Sequence, residues 1–406
     1  MVSRLTHKIL LAVALALIAP RAFAQTPPDP SAAARIHIGP LALSPTLSLL
    51  NAGMDQNVFN EPDQALPKSD FTMTLEPKTD LWLHLGRSIL SGNVTEDLVY
   101  YRTYSSQRSA NHSLKVGLLV PLTRVTFRGS ASYLNTRDRP GFEIDARPQR
   151  RELVYEGGVE LRMLSKTSFG IKAIRQKIEF AADAVFLGNN LRTELNRQIN
   201  GESLTVRHEL TPLTTLTVDV GQQRDRFDFS PLRDSNSESV SFGIHFDPFA
   251  LLKGNAAVGY RNFKPLVAGL PGFQGLTAAV DLSYVALGAT KLSVQAGRDV
   301  QYSFDVNQPY YILTGINVSL AQQVFGPVDA VGRIGVQMLD YRDRAATFIA
   351  FADRVDYVHS YGGGVGYHVG KDLRIGFNVD NATRTSAATN RTYSGLRFGM
   401  AVTYGL

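Results

Sequence analysis

The sequence predicts an all-β fold, a closed antiparallel transmembrane β-barrel of about 18 strands, with 16 as the alternative. Apolar and polar residues alternate with period two from about residue 42 to the C-terminus, which indicates strands with two different faces. Many of these segments are longer than the strands of soluble proteins. Short connections also alternate with long ones along the chain.

The first element is a predicted signal peptide. Arg4 and Lys8 precede an apolar run from Ile9 to Ala19, and Ala22-Phe23-Ala24 fits a small-x-small cleavage site. That run is about half of the roughly 20 residues that a spanning helix needs. We therefore expect export by the Sec route and three parts, a signal peptide over residues 1–24, a short periplasmic leader over residues 25–41 and a barrel over residues 42–406.

The composition narrows the class of protein. The chain has 34 Gly, one Trp and no Cys, which excludes a small disulfide-stapled secreted fold. The formal net charge of +6 includes three cations of the predicted signal peptide, so the mature chain carries about +3. This charge predicts no nucleic-acid partner.

Strand length separates a membrane barrel from a soluble β-sandwich. In the segment 373–380, Leu373, Ile375 and Phe377 alternate with polar or small residues, and a sandwich would show the same alternation. Other segments, such as Glu152 to Leu164, are longer than the usual soluble strand of about 5 to 6 residues. A tilted strand that crosses a bilayer needs about 9 to 11 residues.

The connections support the same fold. Short ones contain Gly86, Gly288, Gly326 and Gly370, and longer polar stretches lie between them. Short periplasmic turns that alternate with long extracellular loops are typical of outer-membrane barrels. The first and last strands should pair, since an open sheet edge has no hydrogen-bond partners in lipid.

The predicted strands can be located along the chain. Pro77 interrupts one alternating segment and predicts a bulge or a strand end there. The final strand has the form of the C-terminal assembly signal of outer-membrane proteins, although Leu406 replaces the usual terminal aromatic. We expect strands to begin near Leu43, Phe71, Leu90, Ser113, Val125, Arg151, Ser168, Glu202, Thr215, Ser237, Gly254, Gly275, Lys291, Tyr310, Val328, Val355, Leu373 and Thr392.

Charged residues on the polar face are the candidate lumen lining. A ring of inward arginines would favour anions, whereas pairing with inward carboxylates would only stiffen the wall. Both alternatives stay open from the sequence. The candidates are Arg128, Glu160, Arg162, Arg207, Asp219, Arg261, Asp281, Arg333, Arg374, Asp380 and Arg397.

No catalytic, cofactor or metal site is predicted. The glycine-rich run 362–366 is followed by strand residues rather than by the helix that a phosphate loop needs. His208, His245, His359 and His368 lack the spacing of metal ligands. Tyrosines near strand ends predict interfacial girdles, among them Tyr100, Tyr101, Tyr104, Tyr133, Tyr260, Tyr302, Tyr310, Tyr311, Tyr357 and Tyr404.

Several loop-edge and turn stretches carry a resemblance to a known family. They are the segment Asn51 to Phe59, the segment Ser132 to Gly141, Arg224-Asp225-Arg226-Phe227 and Asp247-Pro248-Phe249. With these stretches the chain resembles the outer-membrane β-barrel porins that are encoded near capsular and exopolysaccharide export genes of Gram-negative bacteria. The resemblance covers nearly the whole mature chain and implies the barrel fold.

The expected function is a polar-lined pore of the Gram-negative outer membrane. It would pass small solutes in the manner of a porin or take part in exopolysaccharide export, without a chemical step. A loop-plugged structural or binding barrel and an outer-membrane enzyme are the alternatives. The expected partners are outer-membrane lipid and lipopolysaccharide, the barrel insertion machinery and polysaccharide, with no nucleic acid and no cofactor; the sequence does not indicate an oligomeric state.

Overall fold

A computed structural model describes residues 30–247, 250–345 and 352–405 of the chain. The predicted signal peptide, residues 25–29 of the predicted leader and the terminal Leu406 lie outside the described residues. So do Pro248 and Phe249 of one resemblance stretch.

Long antiparallel strands make up almost the whole described chain. Strands β2–β8 and β11–β21 form the barrel wall, β1 extends its sheet beside β2, and β9 and β10 form a small separate hairpin. The strands are β1 Ile36–Ile38, β2 Leu41–Asp55, β3 Asp70–Leu85, β4 Ser88–Tyr101, β5 Ser109–Pro121, β6 Val125–Thr136, β7 Arg150–Arg162, β8 Thr167–Phe180, β9 Val185–Phe186, β10 Asn189–Asn190, β11 Arg197–Thr211, β12 Thr214–Phe227, β13 Ser235–Phe246, β14 Leu252–Pro265, β15 Phe273–Ala286, β16 Thr290–Tyr302, β17 Tyr310–Phe325, β18 Val328–Arg342, β19 Val355–Val369, β20 Leu373–Thr385 and β21 Tyr393–Tyr404.

Pairing of the first and last wall strands closes the barrel. Leu47 of β2 lies opposite Tyr404 of β21, and Asp55 lies opposite Arg397. The register shifts between Leu49 and Ala52, where Asn51 has a φ of 54°. This left-handed residue is the centre of a bulge, which lets the two strands meet at the seam. Because all 18 wall strands pair on both sides, the predicted closed barrel of 18 strands is confirmed.

Short turns and long loops collect at opposite rims of the barrel. Gly86, Gly288, Gly326 and Gly370 all have positive φ in the short turns, a conformation that favours glycine. The long connections lie at the other end, which we call the loop rim, and they include one short helix, α1 (Leu191–Leu195). Asn190 begins this helix, since its side-chain oxygen accepts from the backbone N–H groups of Arg192 and Thr193.

Large apolar side chains cover the outer face of the wall. Leu204, Val220, Val240 and Val258 lie on neighbouring strands and are between 40% and 60% exposed. Exposed apolar side chains of this kind are favourable in lipid, and such an apolar band is the lipid-facing surface of a membrane barrel. In the described ranges, no helix has both the length and the apolar character that crossing a membrane demands.

The observed strand starts agree closely with the predicted ones, but the prediction at Pro77 does not hold. Each predicted start lies within about five residues of an observed one, and several coincide. The prediction of a strand end at Pro77 is wrong, because β3 runs through it without a change of register. Only the pairs of Glu76 and Pro77 with β4 are missing, since proline has no N–H to donate.

Candidate functional site: the lumen and its loop rim

The eleven candidate residues all lie on the face of the wall that points away from lipid. Arg128 follows Phe127, and Arg333 precedes Ile334; both apolar neighbours are exposed on the outer face. The cross-strand register carries this parity around the barrel, because residues directly opposite each other in neighbouring strands share a face. Arg128 lies opposite Gly158, and Arg207 lies opposite Ser168.

Most of these arginines are held by carboxylates. The shortest contacts join Arg374 to Asp329 at 2.5 Å, Arg397 to Asp55 at 2.6 Å, and Arg333 to Asp380 at 2.9 Å. Such pairing favours the stiffened wall over a ring of free cations. The other pairs are Arg261–Asp299 at 2.9 Å, Arg207–Glu160 at 3.4 Å, Arg128–Glu160 at 3.8 Å and Arg162–Glu209 at 4.0 Å.

The two remaining acidic candidates lie apart from these pairs. Asp219 accepts a hydrogen bond from the hydroxyl of Thr205 on the neighbouring strand. Asp281 lies in register between Asn255 and Gln295. The candidates are therefore spread around the inner wall and do not converge on one point.

The connection between β6 and β7, residues 137–149, crosses the interior at the loop rim. Around the wall, five strands separate β6 from β20, and six separate β7 from β16. This loop nevertheless contacts Arg384 at the end of β20 and Ser303 just beyond β16. Contacts over that separation run through the lumen, so the loop narrows the opening.

A buried charged cluster anchors this loop, and we call it the anchor cluster: Glu143, Asp145, Asp356, Arg384 and Arg391. The guanidinium of Arg384 donates to Asp356 at 2.5 Å, to Asp145 at 3.3 Å and to the carbonyl oxygen of Phe142 at 3.0 Å. Arg391 contacts Asp145 at 3.2 Å. The side chains of Arg384 and Asp356 are fully buried. Buried charges need partners of this kind, so these contacts attach the loop to the wall.

Glu143 joins the crossing loop to the connection between β16 and β17. Its carboxylate accepts from the hydroxyl of Ser303 at 2.6 Å and from the backbone N–H of Phe304 at 3.2 Å. Burial raises the pKa of Glu143, although these hydrogen bonds and the nearby charges of Arg391 and Arg354 oppose the shift. The protonated form is therefore favoured more in the docked loop than in a loop exposed to water.

An apolar cluster, the mouth core, packs the same loops together. It joins Ile144 of the crossing loop to Phe186 and Leu191 of the connection between β8 and β11 and to Phe304. The rings of Phe186 and Phe304 meet edge to face, 4.9 Å between centroids. Burying apolar side chains in an otherwise polar opening stabilises the docked loops.

Two cavities lie on either side of the crossing loop. The lumen cavity has a volume of about 820 Å³ and is lined by β2, β16–β21 and residues 139–145. The outer cavity, about 630 Å³, is lined by loops and includes Arg147, Pro148 and Phe186. Asp145 lines both. This residue of the anchor cluster therefore stands at the partition between them.

A family model described as Putative beta-barrel porin 2 matches residues 29–405, which is nearly the whole chain. The chain belongs to this family. A closed barrel with an apolar outer face is typical of outer-membrane proteins, and the family match agrees with that location. The gene neighbourhood that the resemblance implied stays a prediction.

Solved structures with a similar fold are outer-membrane barrels of low sequence identity. OccK9 (OpdG) of Pseudomonas aeruginosa is 13% identical, with a TM-score of 0.46 over 90% of this chain and 98% of that one. The outer membrane protein opdK of the same organism is 10% identical, with a TM-score of 0.47 over the same shares. None of the curated proteins matches the chain.

Two of the stretches that carry the family resemblance have a structural role in the barrel. The stretch Asn51 to Phe59 lies where β2 pairs with β21, and the stretch Arg224 to Phe227 lies near the loop rim. Gly53 lies so close to the carbonyl of Phe398 that a side chain would not fit, and Asp55 pairs with Arg397. The side chain of Asn57, 2% exposed, donates to the carbonyl oxygens of Glu61 and Ser394. Asp225 and Phe227 are buried near the rim.

The glycine-rich run 362–366 forms a flat strip on the inner wall. The polar side chains of β20 lie across its inward glycines, and a Cβ at Gly362 or Gly364 would overlap Asp380 or Asn378. Long polar side chains can lie along the wall here because glycine leaves the space.

The tyrosine prediction holds for some positions and fails for others. Tyr260, Tyr357 and Tyr404 are 40% to 60% exposed on the outer face, as a girdle requires. Tyr310 and Tyr311 are instead buried near the loop rim, in clusters with Phe263 and Tyr341. Alternation alone did not distinguish lipid-facing strand ends from ends that other loops cover. Tyr101 is also buried, and Tyr302 packs against the mouth core and against the cluster of Phe263 and Tyr310.

Proposed function

We propose that the mature protein is a passive outer-membrane channel for small polar solutes, with its constriction at the crossing loop 137–149. The observation that carries the proposal is the lumen cavity, whose polar wall continues to a partition at Asp145. A barrel of 16 to 18 strands is wide enough for an aqueous channel unless loops fill it. Paired charges along the wall would give weak selectivity between small anions and cations.

A loop-plugged barrel is the second candidate, and the loop rim favours it. The anchor cluster and the mouth core join several loops across the opening. These contacts also favour small solutes over a polymer, so export of exopolysaccharide is the weaker form of the proposal. Passage of a polymer would require the crossing loop to leave its site.

Solute flux into liposomes distinguishes these candidates. Liposomes that contain the refolded protein should swell in small polar solutes, and swelling should slow as the solute grows. A folded barrel that gives no swelling with any solute would support the plugged alternative. Swelling that is independent of solute size would contradict a constriction.

We also propose that outer-leaflet lipid, including lipopolysaccharide, contacts one side of the wall. A groove of about 870 Å³ on the outer face has an apolar floor that includes Ile171, Leu204 and Val220. Arg224 and Lys264 lie nearer the loop rim on the same face, where they could reach anionic headgroups. Replacing both cations with alanine should lower the lipopolysaccharide that copurifies with the protein, as measured by mass spectrometry; an unchanged amount would contradict this contact. Recognition of β21 by the insertion machinery stays a prediction.

A further inference from the structure

The lining of the lumen cavity has an unusual balance of chemical groups. Three cations and three carboxylates reach it, and hydroxyls and amides make up most of its other polar lining. A volume of about 820 Å³ lies within the range of small-molecule sites, roughly 300–1,000 Å³. The amide side chains on the lining are Asn51, Asn57, Asn60, Gln295, Asn317, Gln337 and Asn381.

The charged groups of the cavity already have partners. Arg333 pairs with Asp380, and Arg397 pairs with Asp55. Arg139 donates to the carbonyl oxygens of Val58 and Asp145, both at 2.7 Å. A charged solute would therefore have to compete with contacts that already exist, at a cost in desolvation.

Part of the amide lining keeps capacity for a ligand, since Gln295 and Asn317 are exposed to the lumen, whereas Gln337 is 6% exposed. Gln337 donates to Asn317 at 3.3 Å across two neighbouring strands. Each amide has two donors and an oxygen with two lone pairs, so one shared hydrogen bond leaves most of this capacity unused. The glycine strip beside them keeps the wall flat, and no long side chain projects from Gly362 or Gly364.

We infer that the lumen cavity binds neutral polyhydroxylated solutes of the size of a mono- to trisaccharide. Such solutes offer many hydroxyl donors and acceptors and no charge, which matches a net-neutral wall of amides and hydroxyls. The inference rests on the proposed function for access to the cavity. It names the solute class that the channel would favour.

Blockade of single-channel current tests the inference. The probes are maltotriose as the neutral sugar, succinate as an anion and spermidine as a cation, each added to the refolded full mature chain in a planar bilayer. Maltotriose should block the current at concentrations at which the other two do not. The double variant Gln295→Leu with Asn317→Leu should weaken this block about tenfold, as the loss of hydrogen bonds from two exposed amides predicts.

Asn255→Leu is the matched control. Asn255 also faces the lumen, but it lies on β14, outside the cavity lining. This variant should leave the sugar block unchanged. Equal weakening in both variants, or stronger block by succinate or spermidine, would overturn the inference.

A folded protein that gives no single-channel current would refute the proposed channel function, but it would not show whether the lumen cavity binds sugar. Isothermal titration calorimetry of maltotriose against the protein in detergent decides it in that case. Binding that the double variant weakens and Asn255→Leu does not would support the site. No binding to the folded wild-type protein would refute it.

Discussion

Removal of the Arg384 guanidinium should release the crossing loop. Arg384→Met keeps most of the side-chain volume and removes the donors to Asp356, Asp145 and the carbonyl of Phe142. Asp356 keeps Arg354 at 3.4 Å and Asp145 keeps Arg391 at 3.2 Å, so the docked loop loses only its own hydrogen bonds to the Arg384 cation, each worth about 1.5–3 kcal/mol. Loss of one such bond would shift the docking equilibrium of the loop by roughly 10- to 150-fold.

Two assays measure this release. The crossing loop contains Glu143, which is buried when the loop is docked, so a glutamate-specific protease should cut after it faster in Arg384→Met than in the wild-type protein. The cut sites are identified by mass spectrometry. The variant should also show a larger single-channel conductance, because the undocked loop no longer narrows the opening.

Arg224→Met is the matched control, since Arg224 is half-exposed on the outer face and pairs with Glu202 at 3.4 Å. Exposed pairs contribute little, about 0.2–1 kcal/mol, so neither cleavage nor conductance should change. Retained heat-modifiable mobility in gels would show that both variants are folded. Unchanged cleavage and conductance in a folded Arg384→Met barrel would refute the role of the anchor cluster.

Three further predictions follow from the same geometry. Burial raises the pKa of Glu143, so the docked loop should be most stable below the ordinary carboxyl pKa and should lose that stability as the pH rises through the raised pKa. Channel opening in bilayer recordings should therefore increase over this pH range, and Glu143→Gln should flatten the pH profile. Gly362→Leu should lower single-channel conductance, because its side chain would displace inner-wall groups, whereas Gly363→Leu on the outer face should not. Val240→Arg should destabilise the barrel by about 2–4 kcal/mol in urea unfolding from lipid, and Ser241→Arg on the lumen face by much less; equal effects would contradict the assignment of faces.

The wall of the barrel could be predicted from the sequence because its physics is local. Lipid on one side and water on the other impose period two on each strand, as in Leu373, Ile375 and Phe377. The glycines of the short turns, such as Gly326, mark the strand ends. The sequence also offered the pairing of Arg333 with Asp380, as one of two alternatives for the inward arginines.

The loop rim could not be predicted in the same way. Arg139, Glu143 and Arg384 resemble the ordinary charged residues of solvated loops. Glu143 and Arg384 are nevertheless buried and Arg139 is half-buried, and all three contact residues that are distant in the chain. Such contacts depend on where closure of the barrel places each loop. The nearest signal was the resemblance stretch from Ser132 to Gly141, which includes Arg139 but does not show that the loop turns inward.

Single-channel conductance of the refolded mature chain shows whether the barrel is an open channel. We expect discrete, steady openings of modest size, with a reversal potential near zero in a salt gradient because most of the wall charges are paired. A folded barrel without openings would contradict the channel. Strong selectivity for anions or cations would contradict the paired, net-neutral lumen.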